Sequence, residues 1–233
     1  MSRGKVYFGG TDLSTFGVYV SGGGTFDAPV RAYDTVEVPG RDGSVILSEK
    51  RLENIELTYP SFMYSNYKAG MRSLRSFLLS KIGYQRLTDT YHPDEFRLAV
   101  YQGGLETETV EKLNAGHFEL VFNCKPQRWL TSGETAVEFT TAGTINNPTY
   151  LPALPLLRAY GTGKFTLNGT EVQITAADVY TDIDCDVMEC FKGSDNKNGM
   201  VRLSAFPTLS PGNNSISLDG ISKLVITPRW FVL

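Results

Sequence analysis

The chain is poor in the residues that usually carry chemistry. Its 233 residues include three cysteines, Cys124, Cys185 and Cys190, too few and odd in number for a disulfide framework. They read as buried thiols of a reducing compartment. There are only two histidines, His92 and His117, and two tryptophans, Trp129 and Trp230. Apolar runs are short: stretches such as 77–79 fall far below the roughly 20 residues that cross a bilayer, so no membrane insertion is expected. The polar opening Met1-Ser2-Arg3-Gly4 lacks a signal-peptide core, which points to assembly in a cytoplasm. With 22 basic against 25 acidic residues, a net charge of −3 and no run of like charge, dedicated nucleic-acid binding is not expected. At 41% hydrophobic the chain is too apolar for intrinsic disorder.

The motifs of catalysis are equally scarce. No Gly-x-Ser-x-Gly elbow and no His-Glu-x-x-His helix occurs, and Cys185 and Cys190 have no second pair to complete a zinc site. Gly22-Gly23-Gly24 is not followed by Lys-Ser/Thr and reads as a mobile connector rather than a phosphate cradle. Asp182, Asp184 and Asp186 share one face of a strand, but a strand spreads such carboxylates about 7 Å apart and points them in parallel. They suit neither a calcium loop nor the facing carboxyls of a glycosidase, and the expectation is a solvated strand face. Trp129 and Trp230 read as packing residues. No catalytic residue, cofactor or metal is expected.

What the sequence does contain is strand. Short apolar segments, among them Lys5–Phe8, Phe16–Val20, Ile55–Tyr59, Glu95–Tyr101, His117–Asn123, Ala136–Phe139 and Leu156–Tyr160, alternate with Gly, Pro, Asn and Asp, the pattern of β-sandwiches and barrels. One segment differs. From Tyr67 to Ile82, Met71, Leu74, Phe77/Leu78 and Ile82 recur every three to four residues, predicting a single amphipathic helix with Ser65 or Asn66 able to cap its start and Gly83 its end.

The charge density also shifts. Residues 1–130 hold 15 basic and 15 acidic side chains, whereas residues 131–233 hold 7 and 10, which divides the chain into domains 1–131 and 132–233 with Thr131-Ser132-Gly133-Glu134 as the junction. In the second half Asn168-Gly169 marks a type I′ hairpin, Val179–Val187 alternates strictly, and Ser215–Leu218 with Lys223–Thr227 resemble two closing strands joined through Asp219-Gly220.

Several segments together resemble the distal tail protein (Dit) family of long-tailed, non-contractile bacteriophages. They are Val38-Pro39-Gly40-Arg41-Asp42-Gly43 and Leu52–Leu57; the helix followed by Gly83–Leu87; Gly116–Pro126; Asn147-Pro148-Thr149 leading to Pro152–Pro155; Ile183-Asp184-Cys185; Phe206–Asn214; and Ile226-Thr227-Pro228-Arg229-Trp230. The resemblance implies a mainly β protein: a β-sandwich-type ring domain carrying one α-helix, then a galectin-like β-sandwich. It further implies a homo-hexameric hub joining the major tail (tube) protein to a tail-tip or tail-associated lysin protein, with receptor-binding or baseplate proteins outside and DNA only as passing cargo. Pro39, Gly40, Arg41, Asp42, Gly43, Pro228, Arg229 and Trp230 are its signature assembly segments. The alternative is a carbohydrate-binding module on the C-terminal sandwich, with an exposed aromatic such as Tyr180 as platform.

Overall fold

The computed structural model describes residues 4–20, 27–105, 107–110 and 114–233. The Gly22-Gly23-Gly24 segment lies outside the described residues. The chain divides into two compact units, Met1–Arg128 with Leu233, and Trp129–Val232. Each has its own apolar cluster.

The first unit contains β1 (Val6–Phe8), β2 (Thr11–Asp12), β3 (Tyr19–Val20), β4 (Arg31–Glu37), β5 (Ser44–Leu52), β6 (Ile55–Met63), α1 (Tyr67–Ser80), β7 (Gln85–Asp89), β8 (Glu95–Val100), β9 (Thr107–Val110) and β10 (Ala115–Cys124). Its main sheet runs β2-β1-β7-β8-β10-β6-β3, with β9 added to β10. The backbone of this sheet is the β6–β10 ladder, nine antiparallel pairs from Ile55↔Cys124 to Met63↔Gly116. Alternation sets its register: Leu57, Tyr59 and Met63 face inward with Phe118, Leu120, Phe122 and Cys124, and a one-residue slip would turn all of them to water.

Helix α1 covers this core through Tyr67, Met71, Leu74 and Leu78, a stripe at helical spacing. Packing holds it rather than capping. Asn66 at its start is left-handed and makes no side-chain cap bond. Gly70 sits where a Cβ would lie 2.5 Å from the Phe16 carbonyl, so only glycine lets the helix approach this closely. The helix stops at Lys81, whose backbone is extended, and Ile82 is therefore 91% exposed instead of completing the apolar stripe. The predicted strand Phe16–Val20 is also shorter, because Leu13–Phe16 forms a 3₁₀ turn that Asp12 caps by accepting from the Ser14 N–H at 2.8 Å. Only Tyr19–Val20 remains strand.

After β11 (Arg128–Leu130) come β12 (Val137–Phe139), β13 (Gly143–Asn147), β14 (Leu156–Tyr160), β15 (Gly163–Leu167), β16 (Thr170–Ile174), β17 (Tyr180–Asp184), β18 (Glu189–Lys192), β19 (Asp195–Asn196), β20 (Val201–Leu203), β21 (Gly212–Asp219), β22 (Lys223–Thr227) and β23 (Phe231–Val232). One sheet has the order β12-β22-β14-β17-β18-β19 and the other β13-β21-β15-β16-β20. Leu157, Ala159, Ile183, Leu224 and Ile226 of the first sheet share a core with Phe165, Leu167, Val172, Ile174 and Ile216 of the second. The fold is thus mainly β, with one α-helix among the described residues and a two-sheet C-terminal sandwich.

The Asn168-Gly169 hairpin forms as expected, with φ of 53° and 80° at its two turn residues. Strands β21 and β22 are the two closing strands expected around Asp219-Gly220, and they belong to different sheets. The chain crosses at Asp219-Gly220 from one sheet to the other. Thr131–Glu134 is a 3₁₀ turn fastened by the Arg229 N–H donating to the Gly133 carbonyl at 2.8 Å.

The aspartate strand departs from expectation most clearly. Asp182 and Asp184 are buried, not solvated. Asp182 lies directly opposite Arg158 in the ladder and takes a two-pronged bond from its guanidinium at 2.7 and 2.9 Å. Asp184 takes another from Arg229 at 2.7 and 2.8 Å. Asp184 also accepts the Asp186 N–H, bending the chain so that Asp186 leaves the strand.

Candidate assembly surface

Strands β4 and β5 pair only with each other among the described residues, through a register that runs from Glu37↔Ser44 to Arg31↔Leu52. At about 3.4 Å per residue the seven residues of β4 make an arm about 24 Å long. Its root is tied by the Glu53 N–H donating to the Val30 carbonyl at 2.9 Å, just before the chain enters β6. The tip is a type II turn. Pro39 occupies the first central position and Gly40, at φ 80°, the second, and the Arg41 N–H closes on the Val38 carbonyl at 3.1 Å.

Both faces of the arm carry exposed apolar groups. Tyr33 at 53% and Ile46 at 65% lie on one face, Val36 at 45% and Leu47 at 55% on the other. Neither strand pairs with a third strand among the described residues. An isolated two-stranded hairpin is marginal in water, and apart from Ala32 the described side chains of this one are exposed or half-buried. Burying the four side chains would contribute about 1.5–3 kcal/mol each.

The signature residues separate into two groups. Pro39, Gly40, Arg41, Asp42 and Gly43 form the exposed tip of the arm. Pro228, Arg229 and Trp230 lie in the second unit, where Arg229 at φ 58° clamps Asp184 and Trp230 is only 6% exposed, its carbonyl accepting the Leu130 N–H. Burial works to raise the Asp184 pKa, but the hydrogen bonds and charge of Arg229, with the Asp186 and Val187 N–H groups, outweigh it and hold the carboxyl below its usual range. These three residues are occupied with the unit's own fold. The apolar arm itself was not singled out from sequence, although Pro39-Gly40 between β-branched runs is a hairpin signal.

The other chemical candidates are arranged as follows. His92 sits in the bend between β7 and β8, and His117 is exposed on β10. Burial pushes the thiols up, to about 11 for Cys124 and Cys190 and about 12 for Cys185, where Asp184 adds to the effect. Tyr180 has its ring beneath the Arg158 guanidinium at 4.3 Å and within 5.5 Å of the Lys192 ammonium. No group of three or more potential metal ligands occurs among the described residues. No helix among them is long and apolar enough to cross a membrane.

No protein-family model and no curated protein matches the chain. Solved structures do. The SPP1 Dit protein, described as a paradigm of the hub adsorption apparatus in phages infecting Gram-positive bacteria, superposes with a TM-score of 0.78 over 100% of both chains at 15% identity. The chain has the Dit fold. Chains of the phage p2 baseplate in its activated conformation are similar too, at a TM-score of 0.51 with strontium, covering 96% of each chain, and 0.52 with calcium, covering 97%. Both are 10% identical. The Dit likeness therefore spans both units, and the resemblance seen in the sequence segments is met at the level of architecture.

Proposed function

We propose that this protein is a structural component of a bacteriophage virion, a hexameric hub at the distal end of the tail. In this reading the first unit closes a ring that continues the tube, with the major tail protein on one side and a tail-tip or tail-associated lysin protein on the other. The second unit presents attachment sites for receptor-binding or baseplate proteins. DNA passes through without being read, and the protein turns nothing over. Assembly takes place in the host cytoplasm.

The observation that carries this reading is the β4–β5 arm. Two apolar faces on a hairpin that pairs with no third strand among the described residues suit a subunit completed by another copy, and a head-to-tail contact that closes on itself yields a ring. Full-length likeness to the SPP1 Dit protein supports the setting. Pro39–Gly43 then belongs to the contact itself, and Pro228–Trp230 serves it indirectly by fixing the second unit's fold.

Light scattering and negative-stain imaging of the purified chain test the proposal. The expected result is a ring of about six subunits, reduced to monomers with unchanged circular dichroism by the double substitution Ile46→Glu, Leu47→Lys. A wild-type chain that stays monomeric at every concentration and binds neither tube nor tip proteins would refute it.

A further inference from the structure

Arg97 is the most anomalous side chain in the first unit. The β7–β8 register sets it opposite Leu87, with its side chain turned to the buried side of β8, and it is only 7% exposed. Neither terminal nitrogen of its guanidinium has a hydrogen-bond partner among the described residues. Buried charges are ordinarily paired, because an ion out of water without a counter-charge costs several kcal/mol. Here two donor groups point at nothing.

They adjoin a cavity of about 20 Å³ whose lining includes Arg97, Arg128, Asp89, Glu95, His92 and Tyr59. A single water-sized species needs roughly 10–15 Å³ by the same measure, so the space admits one such species and is too small for sulfate or phosphate. The acidic groups nearby are committed elsewhere. Asp89 accepts from the Tyr59 hydroxyl at 2.7 Å and from the Tyr91 and His92 N–H groups at 2.8 and 2.9 Å. Glu95 stands 3.5 Å from Arg128. Burial lowers the Arg97 pKa first, and the like charge of Arg128 lowers it further, a larger effect than the opposing attraction of Glu95. The formal charges of Arg97, Arg128, Asp89 and Glu95 balance around the cavity, and what the Arg97 guanidinium has to offer is two donors without partners among the described residues.

We propose that Arg97 and this cavity hold one small monovalent anion of halide size, a structural ion that ties β8 to the end of the first unit. The ion would accept the two free guanidinium donors and offset the repulsion between Arg97 and Arg128. Water could fill the same space but would not respond to the choice of salt, which separates the two occupants experimentally. This site is independent of the ring, so its failure leaves the assembly proposal standing.

The test uses the full chain in two ways. Crystals soaked in sodium bromide are expected to show an anomalous peak within hydrogen-bonding reach of the Arg97 guanidinium. In solution, thermal unfolding is expected to show a midpoint that rises and saturates with chloride or bromide, but not with sulfate at matched ionic strength. Arg97→Met is expected to abolish that halide response while keeping the fold, since an apolar replacement of a buried charge is tolerated. The proposal is overturned by a cavity that holds water alone, by equal responses to halide and sulfate in both proteins, or by a bromide peak without a halide-specific response in solution, which marks an adventitious ion only. If Arg97→Met does not fold, the bromide peak and the wild-type salt comparison decide.

Discussion

Arg229 shows how a single side chain can anchor a unit from the end of its sequence. Its guanidinium reaches Asp184, 45 residues earlier, where the carboxylate is buried and the guanidinium half-buried. Because the folded carboxyl titrates below the unfolded value of about 3.9, the pair's contribution is fully present above that pH and is lost as pH falls through the lower folded value. Arg229→Met should therefore cost about 2 kcal/mol at pH 7, within the range for hydrogen bonds to a charged group. Urea unfolding of the two proteins should show that gap closing below pH 4. The cysteines give a second residue-scale expectation. With thiols held at about 11, 12 and 11, Cys124, Cys185 and Cys190 carry almost no thiolate at pH 8. Iodoacetamide followed by mass spectrometry should label them only after unfolding. The sequence showed that Asp182 and Asp184 share a strand face. It did not show their burial, because Arg158 and Arg229 come from strands and turns that alternation within one segment says nothing about.

Among the elements, the arm is the most sensitive to its turn. Gly40→Val places a β-branched residue at φ 80° and should weaken the hairpin by more than about 1 kcal/mol, reducing assembly by light scattering while leaving the helix signal in circular dichroism intact. Ile82→Glu, at a position 91% exposed, should change the melting temperature by no more than a surface substitution does, within about 0.5 kcal/mol. Helix α1 was readable because its apolar residues repeat at 3.6. Its end was misplaced because Ile82 keeps that period after the backbone has already turned extended. The arm was harder to see for the opposite reason: with apolar groups on both faces it has no alternation, and only the Pro39-Gly40 turn betrays it.

For the whole molecule, the mainly β class and the helix-bearing first half were legible from the spacing of turns and the single helical period. Sheet order was not. Asp219-Gly220 looks like a hairpin turn, yet β21 and β22 belong to different sheets, because pairing partners are chosen across the core and not along the chain. If neighbours cover the arms, folding is linked to association, and the apparent melting temperature should rise with protein concentration. The Ile46→Glu, Leu47→Lys chain should melt at the same temperature at every concentration, as scanning calorimetry can check.

The nine-pair ladder between β6 and β10 has a consequence during synthesis. β6 spans residues 55–63, but its partner ends at Cys124, so the central pairing of the first unit waits until some 60 further residues have left the ribosome. The β4–β5 hairpin needs nothing beyond Leu52 to close. A nascent chain therefore displays its sticky hairpin before the sheet that bears it has condensed.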